Sequence, residues 1–416
     1  MNGHVRRGTK GLIRDINNSR VLQIIQARGP ISRAEIAKLA QLPPPTVTII
    51  VNAFLRADLV RETDFVRENA DGGSVLGRRP IMLTLNEQAG FAVGVKLRPD
   101  GLTATVTDLC GAPLYHVDRP LDASAPHEVL RRIASEARAA LEEAGVAEAK
   151  VLGLGIGMPG LIDHVRGVCR YSSLLGWSEV DVKATLEEIL SMPVYVDNDV
   201  NMLTAAQIAY GAGREVSEFL TITIGRGIGL GIVVRGEIYR GTFGGAGEFG
   251  HTKVESELRC ECGAIGCLEA VASEDGICAQ IAAVCGEQAM EIEQAIALAM
   301  SGDPEVRGIF ERAGGALGRG IGNLLNLFNP QLVIVTGEGT RAAPLLLEPM
   351  QREMREAAFA LLGDDTRVVI QAWGDEAWAR GAASIVVHEM LQPPIYESRE
   401  TGPLAHLLDR VPRYST

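Results

Sequence analysis

Residues 260–269 of the chain are Cys260-Glu261-Cys262-Gly263-Ala264-Ile265-Gly266-Cys267-Leu268-Glu269. Three cysteines lie within eight residues, and the intervening glycines permit tight turns, so the three thiolates can converge on one tetrahedral ion. A fourth ligand is needed, and His251, nine residues upstream on a glycine-rich loop, is the only nearby histidine in the sequence. The pattern predicts a structural zinc site with the ligands His251, Cys260, Cys262 and Cys267.

The other cysteines do not extend this pattern. The chain has seven Cys, an odd number that does not fit a disulfide framework. Cys110, Cys169, Cys278 and Cys285 stand apart and are expected to be small core residues. The alternative for the cluster itself is three buried thiols without a metal. Zinc is favoured over an iron–sulfur cluster because the run supplies only three cysteines.

Length and composition restrict the class of protein. The 416 residues are enough for two or three domains, and 46% hydrophobic with 22% charged residues are typical of a globular chain. No apolar run approaches the roughly 20 residues of a membrane helix. The basic N-terminus is not followed by the apolar segment of a secretory signal. We therefore expect a cytoplasmic protein without membrane insertion.

Charge is distributed unevenly along the chain. The net charge is −12, but residues 1–80 contain 13 Lys and Arg against 7 Asp and Glu and carry +6, which leaves −18 for the remainder. A basic N-terminal segment on an acidic body indicates that this segment, and not the body, contacts a polyanion.

The basic segment has the pattern of a winged helix-turn-helix. Asn17 or Asn18 is positioned to cap a first helix, and Ser32 with Glu35 has the capping-box spacing of a second. A third helix is predicted from Thr46 to about residue 57, because its apolar residues recur at i, i+3, i+4, i+7 and i+8. Two short strands follow, at residues 59–62 and 81–85.

The third helix is predicted to be the recognition helix, since its apolar face leaves a polar face outside. The segment between the two strands is rich in Gly and Asp and is predicted to be a wing. The expected DNA contacts are Arg33, Pro45, Thr46, Thr48, Ile49, Asn52, Arg78 and Arg79. The alternative is a small helical bundle that contacts another protein.

The body contains one strand pattern twice. Residues 91–97 with 101–108, and residues 219–225 with 229–236, are each predicted to form a hairpin of β-branched strands followed by further strands and helices. This repetition predicts an α/β protein with two similar lobes and a cleft between them.

Polar residues fall at points that face such a cleft. Asp197-Asn198-Asp199 ends a predicted strand and begins a helix, and groups at the carboxyl end of a strand point into the ligand crevice of an α/β lobe. The metal loop is expected to hold Glu248 and Glu269 near the imidazole of His251. Carboxylates and an amide suit a polyhydroxyl ligand, although each residue taken alone has an equally good structural interpretation.

Three segments together resemble the ROK family, whose name joins repressors and sugar kinases. They are residues 224–231, Tyr239–His251 and Cys260–Glu269. Residues 32–39 and 46–48 are similar to the winged-helix domain of the repressor branch of that family, which includes xylose and N-acetylglucosamine repressors.

The resemblance implies two actin-like, ribonuclease-H-like lobes. We expect a winged helix-turn-helix domain at residues 1–86, a first lobe at 87–198 with 379–416, and a second lobe with the zinc site at 199–378. The resemblance also implies that one ring nitrogen of His251 binds zinc and the other meets a sugar. The implied sugar-binding residues are Asn198, Asp199, Glu248, His251 and Glu269.

One stretch departs from the kinases of the family. They open the first lobe with Asp-x-Gly-Gly-Thr, which cradles ATP phosphates, whereas the matching stretch here is Lys96-Leu-Arg-Pro-Asp100. Both glycines are gone, Pro99 lacks a backbone donor, and Asp100 repels a phosphate. We therefore expect no enzyme activity, since phosphoryl transfer depends on positioned phosphates and metal.

The resulting hypothesis is a sugar-responsive transcriptional regulator, most simply a repressor of carbohydrate-utilisation genes. It is expected to bind double-stranded operator DNA as a homodimer or homotetramer and to be released by a sugar or sugar phosphate. Two alternatives stay open: an ATP-dependent sugar kinase with an added domain, and a regulator whose signal is a protein partner.

Overall fold

A computed structural model of the protein describes residues 9–63, 80–122, 124–254, 256–286 and 290–392, together with residues 404 and 408. These residues form an N-terminal head and an α/β body with two lobes, as predicted. Within these described ranges, no helix combines the length and the apolar character needed to span a bilayer.

The head is a winged helix-turn-helix in which three helices pack on a small antiparallel sheet of order β1-β3-β2. Its elements are α1 (Lys10–Arg28), β1 (Ile31–Ser32), α2 (Arg33–Ala40), α3 (Pro44–Arg56), β2 (Val60–Thr63) and β3 (Met82–Leu85).

Two caps in the head were predicted from sequence, and they have different outcomes. The capping box at Ser32 is confirmed, because the Ser32 side chain accepts from the Glu35 N–H and the Glu35 carboxylate accepts from the Ser32 N–H. The cap at Asn17 or Asn18 is wrong. Helix α1 begins at Lys10, and the Thr9 hydroxyl accepts from the Leu12 N–H, so both asparagines lie inside the helix.

The first lobe is built on one five-stranded sheet with a smaller three-stranded sheet beside it in the described part of the chain. Its elements are β4 (Phe91–Arg98), β5 (Gly101–Asp108), β6 (Pro113–Pro120), α4 (Pro126–Glu143), β7 (Val151–Met158), β8 (Leu161–Asp163), β9 (Val168–Ser172), β10 (Trp177–Asp181), α5 (Val182–Leu190) and β11 (Val194–Asn198).

The remaining elements form the second lobe and a long final helix. They are α6 (Asp199–Tyr210), β12 (Phe219–Ile224), β13 (Ile228–Val234), β14 (Glu237–Ile238), α7 (Leu268–Ala272), α8 (Glu274–Cys285), α9 (Ile292–Ser301), α10 (Pro304–Phe328), β15 (Leu332–Thr336), α11 (Ala343–Ala357), α12 (Leu362–Asp365), β16 (Arg367–Ile370) and α13 (Asp375–Leu391).

The predicted duplication is confirmed by the strand order. The main sheet of the first lobe has the order β11-β7-β4-β5-β6, and that of the second lobe has the order β16-β15-β12-β13-β14. In each lobe the first strand pairs with an antiparallel hairpin partner on one side and a parallel strand on the other. The two lobes therefore share one topology.

Helix α13 connects the sheet of the first lobe with the head. It lies so close to the sheet that a Cβ at Gly94 would be 1.8 Å from the carbonyl oxygen of Ala379, and one at Gly155 would be 1.9 Å from that of Ala382. Its C-terminal half belongs to the core of the head, where it packs with α1 residues. The members of α13 in that core are Ala383, Val386, Val387, Met390 and Leu391.

The division into three domains stays a prediction. The expected boundaries at 86/87 and 198/199 lie between elements, but α13 is one unbroken helix across 378/379. We propose that the C-terminal part of the first lobe begins at Asp375, where this helix starts.

Candidate metal centre and ligand cleft

The four side chains expected to bind a metal converge in the second lobe. One ligating atom from each of His251, Cys260, Cys262 and Cys267 lies within 4.8 Å of all the others. The Sγ atoms of Cys262 and Cys267 are 3.8 Å apart, and Sγ of Cys260 is 3.8 Å from Nδ1 of His251. Two sulfur ligands about 2.3 Å from a tetrahedral zinc are about 3.8 Å apart, so the cluster has the dimensions of a metal site.

Local backbone structure holds this cluster in place. A 3-10 turn presents His251, and an isolated antiparallel bridge pairs Lys253 with Cys267. Gly263 and Gly266 have φ values of +87° and +77°, a conformation that favours glycine. Nζ of Lys253 lies 3.2 Å from Sγ of Cys267, so a cation offsets the charge of a thiolate at this position.

The second ring nitrogen of His251 faces Glu248. Nε2 lies 3.9 Å from Oε2 of Glu248, whose side chain is half exposed. Oε2 of Glu269 accepts a hydrogen bond from the Ile228 N–H at 3.1 Å, and its Oε1 lies 3.6 Å from Sγ of Cys260. Two of the metal-cluster residues are therefore in direct contact with the two carboxylates expected to bind a ligand.

Asn198 and Asp199 lie where β11 meets α6. Oδ1 of Asn198 accepts from the Val200 N–H at 2.9 Å, and its Nδ2 donates to the carbonyl oxygen of Gly160 at 3.1 Å. Oδ1 of Asp199 accepts from the same N–H at 2.9 Å. Burial raises the pKa of Asp199, whereas the ammonium group of Lys96 lowers it. Both residues therefore also fix the start of α6.

The carboxylates of Asp199, Glu248 and Glu269, which are expected in the pocket, influence one another electrostatically. Burial raises the pKa of Glu248, and the carboxylates of Glu269 and Asp199 raise it further, whereas His251 lowers it. The structure thus brings Asp199, Glu248, His251 and Glu269 near one another, with Asn198 next to Asp199, and their role in binding a sugar stays a prediction.

An ion-pair network occupies the stretch that departs from the kinase pattern. The side chain of Lys96 is only 7% exposed, and its Nζ lies 2.5 Å from Oδ1 of Asp375 and 3.6 Å from Oε1 of Glu338. The same ammonium lies 4.1 Å from the centre of the Trp378 ring, and Arg98 pairs with Asp375 at 2.7 Å.

Sequence reasoning identified the two cations of this network but missed their acidic partners. Asp375 is 279 residues from Lys96 in the chain, so no local pattern connects them. The sequence does place two basic residues, Lys96 and Arg98, in an otherwise apolar strand. Because buried cations require partners, this pattern could have predicted that acidic residues lie nearby.

A second ion pair joins the lobes beside the pocket. Nε of Arg240 donates to Oδ2 of Asp197 at 2.5 Å. The other oxygen of this buried carboxylate accepts from the Asn198 N–H at 2.8 Å and from Nδ2 of Asn201 at 2.9 Å. Arg240 therefore fixes the strand end that carries Asn198 and Asp199, a role that the sequence did not reveal.

The head presents most of the expected DNA contacts to solvent. Pro45, Thr48, Ile49 and Asn52 are exposed, and Thr46 is half-buried. Arg33 is paired with Glu62 of β2 at 2.9 Å. The two remaining predicted contacts, Arg78 and Arg79, lie outside the described residues. The DNA contacts stay predictions.

A separate cavity lies elsewhere in the second lobe. It has a volume of about 610 Å³ and is bordered by residues of α8, α10 and α11 and of the metal loop, among them Leu258, Gln280, Arg312 and Arg319. The predicted sugar-binding residues do not line it, so it is distinct from the cleft beside His251.

Comparison with known families agrees with this geometry. The model of the ROK family matches residues 92–389, which include both lobes and the metal cluster. The chain belongs to the ROK family. A model of winged helix-turn-helix DNA-binding domains matches residues 14–61 of this ROK protein, within the head.

The relatives of this ROK protein include named repressors that match it over almost their full length. A putative xylose repressor of Caldicellulosiruptor sp. (strain Rt8B.4) is 30% identical over 403 residues, 94% of this chain and all of that protein. The DNA-binding transcriptional dual regulator NagC of Escherichia coli (strain K12) is 28% identical over 398 residues, 94% of this chain and 96% of that protein.

Two solved structures match different shares of the chain. A ROK family transcriptional regulator, a homologue of the E. coli MLC protein, has a TM-score of 0.81 and 25% identity and covers 96% of this chain and 100% of its own. A ROK family glucokinase from Streptomyces griseus, in complex with glucose and AMPPNP, has a TM-score of 0.61 and 27% identity and covers 71% of this chain and 99% of its own. The likeness to the regulator thus extends over nearly the whole chain.

Proposed function

We propose that this protein is a sugar-responsive transcriptional repressor that binds operator DNA through its head and a sugar through the cleft of its body. The observation that carries the proposal is a winged helix-turn-helix that packs on α13 of a ROK body, in a chain whose relatives, matched over nearly their full length, include named xylose repressors.

The outer face of α3 is the proposed DNA-reading surface. Ile49 is 70% exposed, so its side chain is accessible to the methyl group of a thymine. Asn52, on the same exposed face, can pair with an adenine edge. Arg33 would reach a phosphate by exchanging its partner Glu62. Arg78 and Arg79, outside the described residues, complete the proposed set.

Zinc is the proposed metal of the His251, Cys260, Cys262 and Cys267 cluster. Three sulfurs and one nitrogen within 4.8 Å of one another are a donor set that suits zinc in a closed structural site. A bound zinc supplies a fixed tetrahedral centre without redox chemistry. Because Nδ1 of His251 faces Cys260, its Nε2 is left to contact a ligand hydroxyl beside Glu248.

The sugar is proposed to bind against Asn198, Asp199, Glu248, His251 and Glu269. Carboxylates accept hydrogen bonds from hydroxyl groups, and the hydrogen bonds become stronger because the acceptor is charged. Glu269 is held by the Ile228 N–H and Asp199 by the Val200 N–H, so both carboxylates are oriented before the ligand arrives. Such preorganisation lowers the entropic cost of binding.

The same body is proposed to lack kinase activity. Lys96 stands where the family's kinases have an aspartate, and its ammonium group is held by Asp375 and Glu338 instead of facing a nucleotide. Arg98 is likewise held by Asp375 and Asp118. A nucleotide would have to displace these partners and approach a strand without the glycines that let backbone contact phosphates.

Helix α13 is the proposed connection between the cleft and the head. At its N-terminus Asp375 binds Lys96, and at its C-terminus the Leu391 carbonyl accepts from Nε2 of Gln23 in α1 at 3.3 Å. A sugar that favours one arrangement of the lobes therefore changes the position of the head. In a homodimer or homotetramer this would change the spacing of two recognition helices on an operator.

Operator binding in the presence of sugars tests this function. The metal-loaded full chain is titrated into a labelled fragment of its own promoter, and fluorescence anisotropy is recorded with and without xylose, glucose or N-acetylglucosamine. We expect specific binding that one sugar weakens by roughly 5–150-fold, which is the range of ordinary allosteric coupling.

Two matched measurements give this experiment its controls. Asn52→Ala is expected to weaken specific binding about 10-fold or more while leaving binding to unrelated DNA nearly unchanged. Glu311→Gln, at an exposed residue of α10, should behave as the wild type. Turnover of ATP with any of these sugars, or a head that binds no promoter fragment, would overturn the proposal.

A further inference from the structure

The head is bound to the body at two places that belong to different lobes. One is α13, which packs on the sheet of the first lobe and whose C-terminal half lies in the core of the head. The other is Arg214, in the segment between α6 and β12, whose Nη2 donates to the carbonyl oxygen of Ala27 in the last turn of α1 at 3.3 Å. We propose, on the basis of the sugar-responsive function above, that Arg214 is a positioning residue: it holds the head on the second lobe, and a bound sugar has to break this contact.

The contact is of a kind that suits the end of a helix. The last four carbonyl groups of an α-helix have no partner within the helix, and they form the negative end of the helix dipole. Ala27 is the second-last residue of α1, so its carbonyl is one of these four. A guanidinium group satisfies this oxygen and has a favourable charge there. Because Arg214 is exposed, water can replace the contact at a small cost.

Helix α6 connects Arg214 with the proposed sugar site. The N-cap of this helix is Asn198, a residue of that site, and the helix ends at Tyr210. The segment that follows is fixed to the helix, because the Ala212 N–H donates to Oε1 of the fully buried Gln207 at 3.1 Å. A movement of α6 is therefore passed on to Arg214.

Helix α6 is also fixed to the sheet of the second lobe. It lies so close to β13 that a Cβ at Gly231 would be 1.9 Å from Oγ1 of Thr204. At its other end, Nε2 of Gln207 donates to Oε1 of Gln371, the residue after β16, at 2.9 Å. Arg214 therefore follows the second lobe, whereas α13 follows the first.

The two connections to the head run from one crossing. A Cβ at Gly381 of α13 would lie 2.0 Å from the carbonyl oxygen of Met202, so the two helices touch at this point. Met202 is in the first turn of α6, and Gly381 is in the first half of α13. Beyond the crossing, one helix leads to Arg214 and the other leads to the core of the head. A rotation of the lobes about the crossing therefore moves Arg214 relative to the part of α13 that holds the head.

The head cannot keep both contacts when the lobes rotate. Its contact with α13 is an apolar core, whereas its contact with Arg214 is one exposed hydrogen bond. The hydrogen bond breaks first, so it favours the arrangement of the lobes without sugar. Its removal makes sugar binding tighter, because binding no longer has to break it. One charge-assisted hydrogen bond at the surface gives an effect of about 3–10-fold.

Isothermal titration of the metal-loaded full chain without DNA tests this inference. Xylose, glucose and N-acetylglucosamine are titrated into the wild type, Arg214→Ala and Arg214→Lys. The alanine variant should bind its sugar about 3–10-fold more tightly than the wild type, and the lysine variant, which keeps a cation at the end of α1, should lie between them. A helix of 12 residues is about 18 Å long, so Arg214, beyond the end of α6, affects the sugar without touching it.

A second readout separates this role from simple stabilisation of α1. Operator release, followed by anisotropy, should need about 3–10-fold less sugar in Arg214→Ala, whereas a purely structural cap would lower thermal stability and leave sugar affinity unchanged. Arg307→Ala, at an exposed arginine of α10, is the matched control and should behave as the wild type. Unchanged or weaker sugar binding in Arg214→Ala overturns the inference and leaves the sugar-responsive function intact, whereas a wild type that binds none of the sugars overturns both.

Discussion

The ammonium group of Lys96 lies 2.5 Å from the carboxylate of Asp375, and this contact joins the first strand of the first lobe to the first residue of α13. The other end of that helix packs in the core of the head. One partly buried ion pair thus anchors the helix that runs from this strand to the DNA-binding domain. This ion pair also connects α13 electrostatically to Asp199, because the ammonium group of Lys96 lowers the pKa of that residue.

Replacing Lys96 with Met should destabilise the protein and weaken its response to sugar. The change leaves Asp375 and Glu338 without their shared cation, although Arg98 still pairs with Asp375. We expect the free energy of unfolding to fall by about 1–3 kcal/mol, less than for a fully buried pair because Asp375 is partly exposed. Urea unfolding measures the loss, and operator anisotropy with and without sugar measures the response.

The matched control is Lys183→Met, which removes the exposed pair with Glu187 at 3.9 Å. Exposed pairs of this kind contribute little, so the change should be below about 0.5 kcal/mol. If Lys96→Met were no less stable than Lys183→Met, the buried network would have no role in anchoring α13.

Loss of the metal should abolish the sugar response before it abolishes DNA binding. Cys260→Ser removes one ligand from a buried position, and without the metal the link from His251 through Cys260 to Glu269 is lost. We expect elemental analysis to show one zinc per wild-type chain and none in the variant. Operator affinity should persist without sugar, and release by sugar should disappear. Cys285→Ser should retain both metal and release, because this cysteine lies outside the cluster and is exposed; the expectation of a core position is wrong for Cys285 and also for the exposed Cys110.

The capping box of α2 should make the stability of the head depend on pH. The side-chain and backbone donors of Ser32 hold the pKa of Glu35 below its ordinary value of 4.5. A lowered pKa in the folded state stabilises the protein above pH 4.5, and this contribution is lost as the pH falls through the folded-state pKa.

The variant Glu35→Gln isolates this effect. At pH 7 it should be less stable than the wild type by about 0.5 kcal/mol, because it keeps a cap but loses the charge near the helix N-terminus. The difference should shrink as the pH drops below 4.5. Thermal unfolding of both proteins across pH 3 to 7 measures it, and a difference independent of pH would contradict the assignment.

Features set by local spacing could be predicted from the sequence. The capping box at Ser32, the apolar stripe of α3, the paired hairpins of the two lobes and the cluster around Cys260 each lie within a few residues or repeat visibly. The start of α1 was missed because asparagine is also tolerated inside a helix when tertiary contacts support it, as the buried Val21 and Leu22 do here.

Contacts between distant segments could not be predicted in this way. Asp375 and Lys96 are 279 residues apart, and Arg240 and Asp197 are 43 residues apart on different lobes. Their pairing depends on how the lobes and α13 pack, which no local pattern of residues encodes. For that reason the sequence could predict pocket residues such as Asn198 and Asp199, but it could not predict that Arg240 orients the end of their strand.

The close packing of α13 on the first-lobe sheet should depend on the absence of a side chain at residue 155. In Gly155→Ala, the new Cβ would lie 1.9 Å from the Ala382 carbonyl oxygen, so the helix or the strand must shift. We expect a loss of about 2–3 kcal/mol in the free energy of unfolding, together with a changed operator affinity because α13 also forms part of the head core.

The control is Gly308→Ala on α10, where only the flexible end of Arg312 lies near the added Cβ at 3.5 Å. That change should stabilise the protein by about 0.5–1 kcal/mol, since alanine favours a helix interior. Chemical unfolding of the two variants compares them directly, and equal stability would show that α13 has room to move against β7 and does not transmit a displacement rigidly.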